Sequence, residues 1–242
     1  YSKNSVKFID EVAGAPDWQL QEGKPLGAYL LYESDGVWYD EAEIAANTVD
    51  YSQVTNQLRP GDLKLVDYDK NGKIDGDDMV RQEDSFVPRL QYGITLDVSY
   101  KNFDLSLLFQ GSQGGLTTLF NGEFGDWGNY YKYQHDNRWS IDNPSRVHPR
   151  LASRGDTWYT DGGYGNNTYN YGSTDYLRLK NIELGYNLPK EFLGQGFISN
   201  FRLYASGLNL LTFTEFGMTD PEVADRTYPL QKVWNLGLRV NF

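Results

Sequence analysis

The last ten residues of the chain, VWNLGLRVNF, alternate strictly between two kinds of side chain. The apolar positions are Trp234, Leu236, Leu238, Val240 and Phe242, and the positions between them are Asn235, Gly237, Arg239 and Asn241. Because successive side chains of a strand point to opposite faces, the segment predicts a strand with one apolar and one polar face.

Four earlier segments alternate in the same way, and a weaker pattern indicates a sixth strand. The predicted strands are Gln91–Tyr100, Phe103–Gln110, Tyr176–Leu188 and Phe201–Phe213, with Lys3–Val12 as the sixth. A soluble β-sandwich would also alternate. Aromatic residues at the ends of the apolar stripes and charged residues in the middle of the polar stripes favour a transmembrane barrel with a wet lumen instead.

Composition agrees with this interpretation. The mean hydropathy is −0.61, and no run reaches the roughly 18–20 apolar residues of a spanning helix. A transmembrane strand needs only about 9–11 residues, half of them apolar. The net charge of −11 excludes a basic nucleic-acid groove, and the absence of cysteine excludes thiolate metal sites and cysteine nucleophiles.

The lengths of the connections predict which side of a membrane each lies on. If Phe242 ends in the periplasm, the connections 101–102 and 189–196 are periplasmic, and 13–89, 113–175 and 214–232 are extracellular. Short inner turns and long outer loops are the rule for such barrels. Six strands cannot close a barrel, so we expect residues 1–242 to be the C-terminal portion of a longer protein.

One segment has the spacing of a calcium-binding loop. Counted from Asp67, the template positions are occupied by Asp67, Asp69, Asn71, Lys73 (through its carbonyl), Asp75 and Asp78, with Gly72 at the sharp turn. Asp78 stands where the template has glutamate. An acidic solvated turn is the alternative. Because no long amphipathic helices flank the loop, we expect a structural calcium ion rather than a switch.

The loop 113–175 is rich in aromatic residues. The candidates for contact with a substrate or partner are Trp127, Tyr130, Tyr131, Trp139, Trp158 and Tyr159. Such rings stack on sugars or pack under a partner protein, but a loop of this length could also use them as its own core. No catalytic motif is present, and His135 and His148 lack metal-ligand spacing, so the sequence predicts no enzyme.

In their order, several motifs resemble the C-terminal third to quarter of the SusC/RagA-type TonB-dependent transporters of Bacteroidetes. They are PGDLKLVDYDKNGKIDGDD (60–78), PRLQYGITLDVSYKNFDLSLLFQGSQG (88–114), Arg138-Trp139 with Asn143-Pro144 and Pro149-Arg150, DYLRLKNIELGYNLP (175–189) and RLYASGLNLLTFTEFGMTDPE (202–222).

The resemblance implies a 22-stranded outer-membrane barrel with an N-terminal plug, of which this chain would supply strands 17–22 and not the plug. It also implies a SusD-like surface lipoprotein as a lid, energy from the TonB complex, and import of glycans or oligopeptides. A secreted calcium-stabilised carbohydrate-binding module is the alternative. Solubility without detergent would favour that module.

Overall fold

The computed structural model describes residues 1–119, 132–152, 156, 166–193, 198–216, 220–222 and 230–242. Two compact units divide the chain. We call them the sheet unit (Tyr1–Ser2, Pro88–Gly115 and Thr174–Phe242) and the loop unit (Lys3–Val87 and Leu116–Ser173).

Strands are the predominant regular element among the described residues, which confirms the predicted all-β class. In chain order the strands are β1 (Ala28–Tyr32), β2 (Ser34–Val37), β3 (Leu63–Leu65), β4 (Met79–Ser85), β5 (Leu90–Tyr100), β6 (Phe103–Gln113), β7 (Leu116–Thr118), β8 (Tyr171–Ser173), β9 (Tyr176–Asn187), β10 (Asn200–Phe213) and β11 (Val233–Asn241). The α-helices are α1 (Glu41–Ala45), α2 (Lys132–Asn137) and α3 (Lys190–Leu193), and short 3-10 helices lie at Asp17–Gln19, Gly76–Asp78 and Thr168–Asn170.

The sheet unit is one antiparallel sheet in the order β11-β10-β9-β6-β5. Its five strands lie at the five segments with clear alternation, because a period of two is a local property of the sequence. The sixth predicted strand, Lys3–Val12, is wrong: only Val6 forms an isolated bridge there, to Glu22. Its alternation is broken, because Ile9 lies on the opposite face from Val6, Phe8 and Val12 while Asp10 shares their face, so neither face is wholly apolar.

One face of this sheet exposes apolar side chains over most of its area. Leu236 is 89% exposed, Trp234 74% and Tyr100 69%, and the same face carries Ile94, Leu96, Val98, Leu184, Leu203 and Leu238. Among the described residues of the sheet unit, the buried apolar side chains are Tyr176, Phe216 and Pro221. Most apolar side chains of the sheet therefore lie on an exposed face and do not form an internal core.

Irregularities in β9 and β10 explain why the alternation in these two strands is imperfect. The register between them shifts from Leu208–Asn181 to Leu211–Leu179. Asn209 lies in this bulge with a φ of +53°, a left-handed conformation that asparagine tolerates better than most residues. The bulge accounts for a polar residue on an apolar stripe.

The loop unit has its own apolar core. It consists of Tyr32, Val37, Trp38, Tyr51, Val54, Leu63, Leu65, Ile74 and Ala152, with Ile44, Val49, Leu58, Met79, Trp139 and Tyr169 packed against it. Antiparallel pairs β1–β4, β2–β3 and β7–β8 frame this core. The two longest predicted connections, 13–89 and 113–175, therefore share one core.

Of the other predicted connections, one is a short turn and another contains a helix. Lys101 and Asn102 join β5 to β6, with Lys101 at a φ of +54°, and α3 lies between β9 and β10. The sidedness predicted for all five connections stays a prediction. Of the helices in the described ranges, none combines the length and apolarity needed to cross a membrane.

Candidate functional site

The predicted cation loop brings three carboxylates together. One oxygen from each of Asp67, Asp69 and Asp78 lies within 4.8 Å of the others. The chain turns through Lys70 and Gly72, whose φ angles are +61° and +87°. Asp67, Asp69 and Asp78 occupy template positions 1, 3 and 12, so the fold brings together carboxylates that are up to eleven residues apart in sequence.

The three carboxylates differ in their surroundings. Asp78 is fully buried and accepts hydrogen bonds from the backbone N–H groups of Tyr68 (2.7 Å) and Asp75 (2.8 Å). Burial raises the pKa of Asp78 in spite of these bonds. Asp69 is exposed. A buried carboxylate facing two others favours occupation by a cation, because the charge is costly to bury without a partner.

Asp75, a fourth predicted ligand, is not one of the three converging carboxylates. Lys73 Nζ forms an ion pair with Asp75, which lowers the pKa of Asp75. The Asn71 side-chain oxygen accepts from the Lys73 N–H at 2.9 Å. For Asp75 to become a further ligand of an ion bound by the three carboxylates, the ion would have to displace Lys73 from it.

The loop is fastened to the rest of the loop unit on two sides. Ile74, fully buried in the core, donates its N–H to the Asp50 carbonyl at 2.7 Å. Trp18 Nε1 donates to the Asp77 carbonyl at 2.8 Å, and Gln19 Nε2 to the Gly76 carbonyl at 2.6 Å. Order in the cation loop is thus coupled to order in the segment around the first 3-10 helix.

Of the six aromatic contact candidates, the structure describes Trp139. Trp127, Tyr130, Tyr131, Trp158 and Tyr159 lie outside the described residues. Trp139 packs against the core and donates its Nε1–H to the Tyr39 carbonyl at 3.1 Å. Trp139 therefore takes part in the packing of the loop unit, and its contact with a substrate or partner stays a prediction.

Trp139 belongs to an arrangement that we call the clamp, formed by Gly61, Asp62, Trp139 and Arg150. The Arg150 N–H donates to the Gly61 carbonyl at 2.7 Å, and Arg150 Nε donates to the fully buried Asp62 at 2.6 Å. Burial raises the pKa of Asp62 to about 6, although Arg150 opposes this. The clamp joins two loops that are some ninety residues apart in sequence, and it is built from two of the motifs on which the resemblance rests.

The polar face of the sheet carries charged side chains that pair across strands. Arg202 on β10 binds Asp104 on β6 and Glu183 on β9, the latter at 2.8 Å. Asn187 Nδ2 also donates to Asp104 at 3.0 Å. Because each of these charges has a partner of opposite sign, the side chains can be partly buried on this face of the sheet.

A second charged group on this face, around Arg178, is absent from the sequence predictions. Arg178 on β9 is fully buried and pairs with Asp220 and Glu222. The signal was present in the sequence: the apolar stripe of β9 changes parity between Leu179 and Ile182. The register of β9 against β6 shifts at this point, which turns Arg178 to the polar face.

Comparison with known proteins gives relatives over nearly the whole chain. The sequence is 34% identical to TonB-dependent receptor P3 of Formosa agariphila over 92% of this chain and 23% of that protein. It is 29% identical to TonB-dependent receptor P26 of the same organism over 97% of this chain and 24% of that protein. No family model matches the sequence.

Solved structures share the fold. A chain in the RagAB peptide importer in its open-open state superposes with a TM-score of 0.59 and 24% identity, over 89% of this chain and 22% of that one. The RagAB peptide transporter gives 0.60 and 23%, over 94% and 24%. The chain thus spans about a quarter of the length of the proteins it matches. The resemblance inferred from the motifs is confirmed, since this chain is similar over nearly its whole length to TonB-dependent receptors.

Proposed function

We propose that the chain forms part of the wall of an outer-membrane transporter that imports nutrients in a SusCD-like TonB-dependent complex. The observation that carries this proposal is the two-faced sheet, with exposed apolar side chains on one face and paired charges on the other. Such a large exposed apolar face is unfavourable in water. It is favourable against hydrocarbon, where the strand ladders also satisfy the backbone.

The proposed cargo is a glycan or an oligopeptide. The names of the relatives support import in general, since they are receptors and importers rather than enzymes. The proposed partners are the remainder of the barrel with its plug, a SusD-like surface lipoprotein, the TonB complex and the lipid of the outer membrane. In this arrangement the polar face lines the path of the cargo and the loop unit lies at the cell surface.

Neighbouring residues of β11 provide a matched test of the membrane assignment. Leu236 lies on the apolar face and Asn235 on the polar face. In the full-length receptor, Leu236→Lys places a charge in lipid, at a cost of up to about 2–4 kcal/mol, whereas Asn235→Lys places it in a wet lumen. We expect Leu236→Lys to reduce the heat-modifiable, membrane-assembled fraction and Asn235→Lys to preserve it. Equal assembly of both variants would contradict the proposal.

Import itself is tested in cells that lack the receptor. Uptake of fluorescently labelled oligopeptides and oligosaccharides should fall for one of the two classes and return with the wild-type gene. Unchanged uptake of both classes would refute nutrient import. The alternative, a secreted carbohydrate-binding module, requires a protein that stays soluble without detergent, which the exposed apolar face disfavours.

We also propose that the loop Asp67–Asp78 binds a calcium ion that stabilises the loop unit. Oxygen-rich ligand sets suit calcium, and three carboxylates converge there. The strand β3 precedes the loop and β4 follows it. A helix pair that opens on binding is therefore not available, and the ion would have a structural role.

Calorimetric titration with calcium chloride tests this site in the purified receptor. Asp69→Asn removes a converging carboxylate, and we expect at least a tenfold loss of affinity. Asp77→Asn is the matched control, because Asp77 is exposed and outside the converging group. Absence of binding at millimolar calcium, or an equal effect of the two variants, would exclude the site.

A further inference from the structure

The buried guanidinium of Arg178 holds a segment that is not part of the sheet. Arg178 is 0% exposed. Its Nη2 binds Asp220 at 2.6 Å and its Nη1 binds Glu222 at 2.9 Å. Its Nε donates to the hydroxyl of Thr212 at 3.1 Å. A buried arginine requires this degree of pairing, because an unpaired buried charge is strongly destabilising.

Both carboxylates come from the connection that follows β10. At its start, the Thr214 hydroxyl donates to the Asp175 carbonyl at 2.7 Å. Phe216 is only 3% exposed, and Pro221 is buried as well. The described stretches 214–216 and 220–222, which we call the strap, therefore fold down over the sheet.

The strap lies on the polar face. Gln110, Arg178 and Thr212 are register partners on β6, β9 and β10, and Gln110 Nε2 donates to Glu222 at 3.3 Å. Lys180 donates to Glu222 at 2.9 Å. Glu222 thus binds side chains from two strands, and Arg178 lies at the centre of the contacts.

The other ion-pair network on this face has a different construction. Arg202, Asp104 and Glu183 all belong to strands of the sheet. That network joins strands to one another, whereas the Arg178 network joins a connection to the wall. The difference provides an internal control, since both networks contain one arginine and two carboxylates.

We propose that Arg178 is a latch that holds the strap against the polar wall and so narrows the space beside β9 and β10. Because its carboxylates are bound by charge and hydrogen bonds rather than by a continuous strand ladder, the strap can be released without unfolding the sheet. The latch is a property of the sheet unit. Its position in a cargo path rests on the proposed function.

Thiol labelling tests the latch without any transport assay. Residues 1–242 contain no cysteine, so Phe216→Cys introduces the one thiol of this part of the receptor, at a buried position. Glu215→Cys, at the exposed neighbouring position, is the reference variant, and the receptor without an introduced cysteine gives the background. In the full-length receptor we expect a maleimide to label Phe216→Cys at least tenfold faster when Arg178→Gln is added. The rate for Glu215→Cys should stay the same.

Arg202→Gln is the matched control, because it breaks the other network and should leave labelling of Phe216→Cys unchanged. Only variants with wild-type heat-modifiable mobility are compared. Should Arg178→Gln fail to assemble, Glu222→Gln weakens the latch while retaining the arginine and is also expected to accelerate labelling. Equal rates with and without the latch would overturn the proposal. Faster labelling without any change in cargo uptake would retain the latch and place it outside the import path.

Discussion

A glycine in the clamp offers a quantitative test of the packing. Gly61 has a φ of +92° and lies against Trp139 and Arg150. A Cβ added to it would lie 2.7 Å from the Arg150 Cβ and 2.8 Å from the Trp139 ring. Both distances are below any normal contact, so Gly61→Ala must displace a large ring or the backbone of the other loop.

Two effects add in this variant. The left-handed backbone costs about 1–2 kcal/mol for a residue with a Cβ, and overpacking costs about 1–3 kcal/mol. We therefore expect Gly61→Ala to destabilise the loop unit by about 2–5 kcal/mol. Gly23→Ala has a similar φ of +81° with nothing within 4 Å, and it should cost only the first about 1–2 kcal/mol. Gly76→Ala has open space and no left-handed φ, so we expect almost no change.

Hydrogen exchange in the detergent-solubilised receptor measures these differences. The Arg150 N–H, bonded to the Gly61 carbonyl, reports opening of the clamp. Since about 1.4 kcal/mol corresponds to a factor of ten, Gly61→Ala should accelerate its exchange by roughly 30-fold or more. An effect no larger than that of Gly23→Ala would show that Trp139 gives way freely, and the clamp would not be the rigid junction that its geometry indicates.

Two further predictions concern pH. The folded chain holds the pKa of Asp62 at about 6, above its ordinary value of 3.8, so its contribution to stability is greatest below about pH 4 and is lost as the pH rises through about 6. This pH dependence of stability amounts to up to ~3 kcal/mol, and Asp62→Asn should abolish it. Hydrogen exchange between pH 4 and 7 measures the free energy of opening, and an unchanged pH dependence in the variant would contradict the prediction. Because burial raises the pKa of Asp78 and calcium binds the carboxylate form, calorimetric affinity for calcium should fall on acidification before an ordinary aspartate protonates. An affinity that is constant down to pH 4 would contradict this.

The strands were predictable because their signal is local. The structure places β5 at Leu90–Tyr100 and β11 at Val233–Asn241, within a residue of the alternating segments. The convergence of Asp67, Asp69 and Asp78 was predictable for the same reason, since these residues lie within twelve consecutive positions. Binding of calcium there stays a prediction. Lys3–Val12 is the exception, because Ile9 lies opposite Val6, Phe8 and Val12 and Asp10 interrupts their stripe, so the alternation is too weak to specify a strand.

The clamp and the latch could not be predicted, because each depends on contacts between distant segments. Asp62 and Arg150 are 88 residues apart, and Arg178 and Glu222 are 44 apart. Local patterns contain no information on such pairs. The sequence does contain Gly61 beside Pro60 and Arg178 between Leu177 and Leu179. Only the folded structure explains why these two residues occupy these positions.

Charged residues are distributed unevenly between the sheet unit and the loop unit. The loop unit contains 24 acidic and 13 basic residues, a net charge of −11, whereas the sheet unit contains nine of each and is neutral. In the proposed arrangement the sheet unit separates lipid from the lumen, and its partly buried charges need partners because an unpaired buried charge is costly. The Arg178 and Arg202 networks provide such partners. The loop unit can leave its excess of carboxylates in water, except where burial forces them together. Asp78 is such a place, and a divalent cation would neutralise the charge there without requiring any basic side chain.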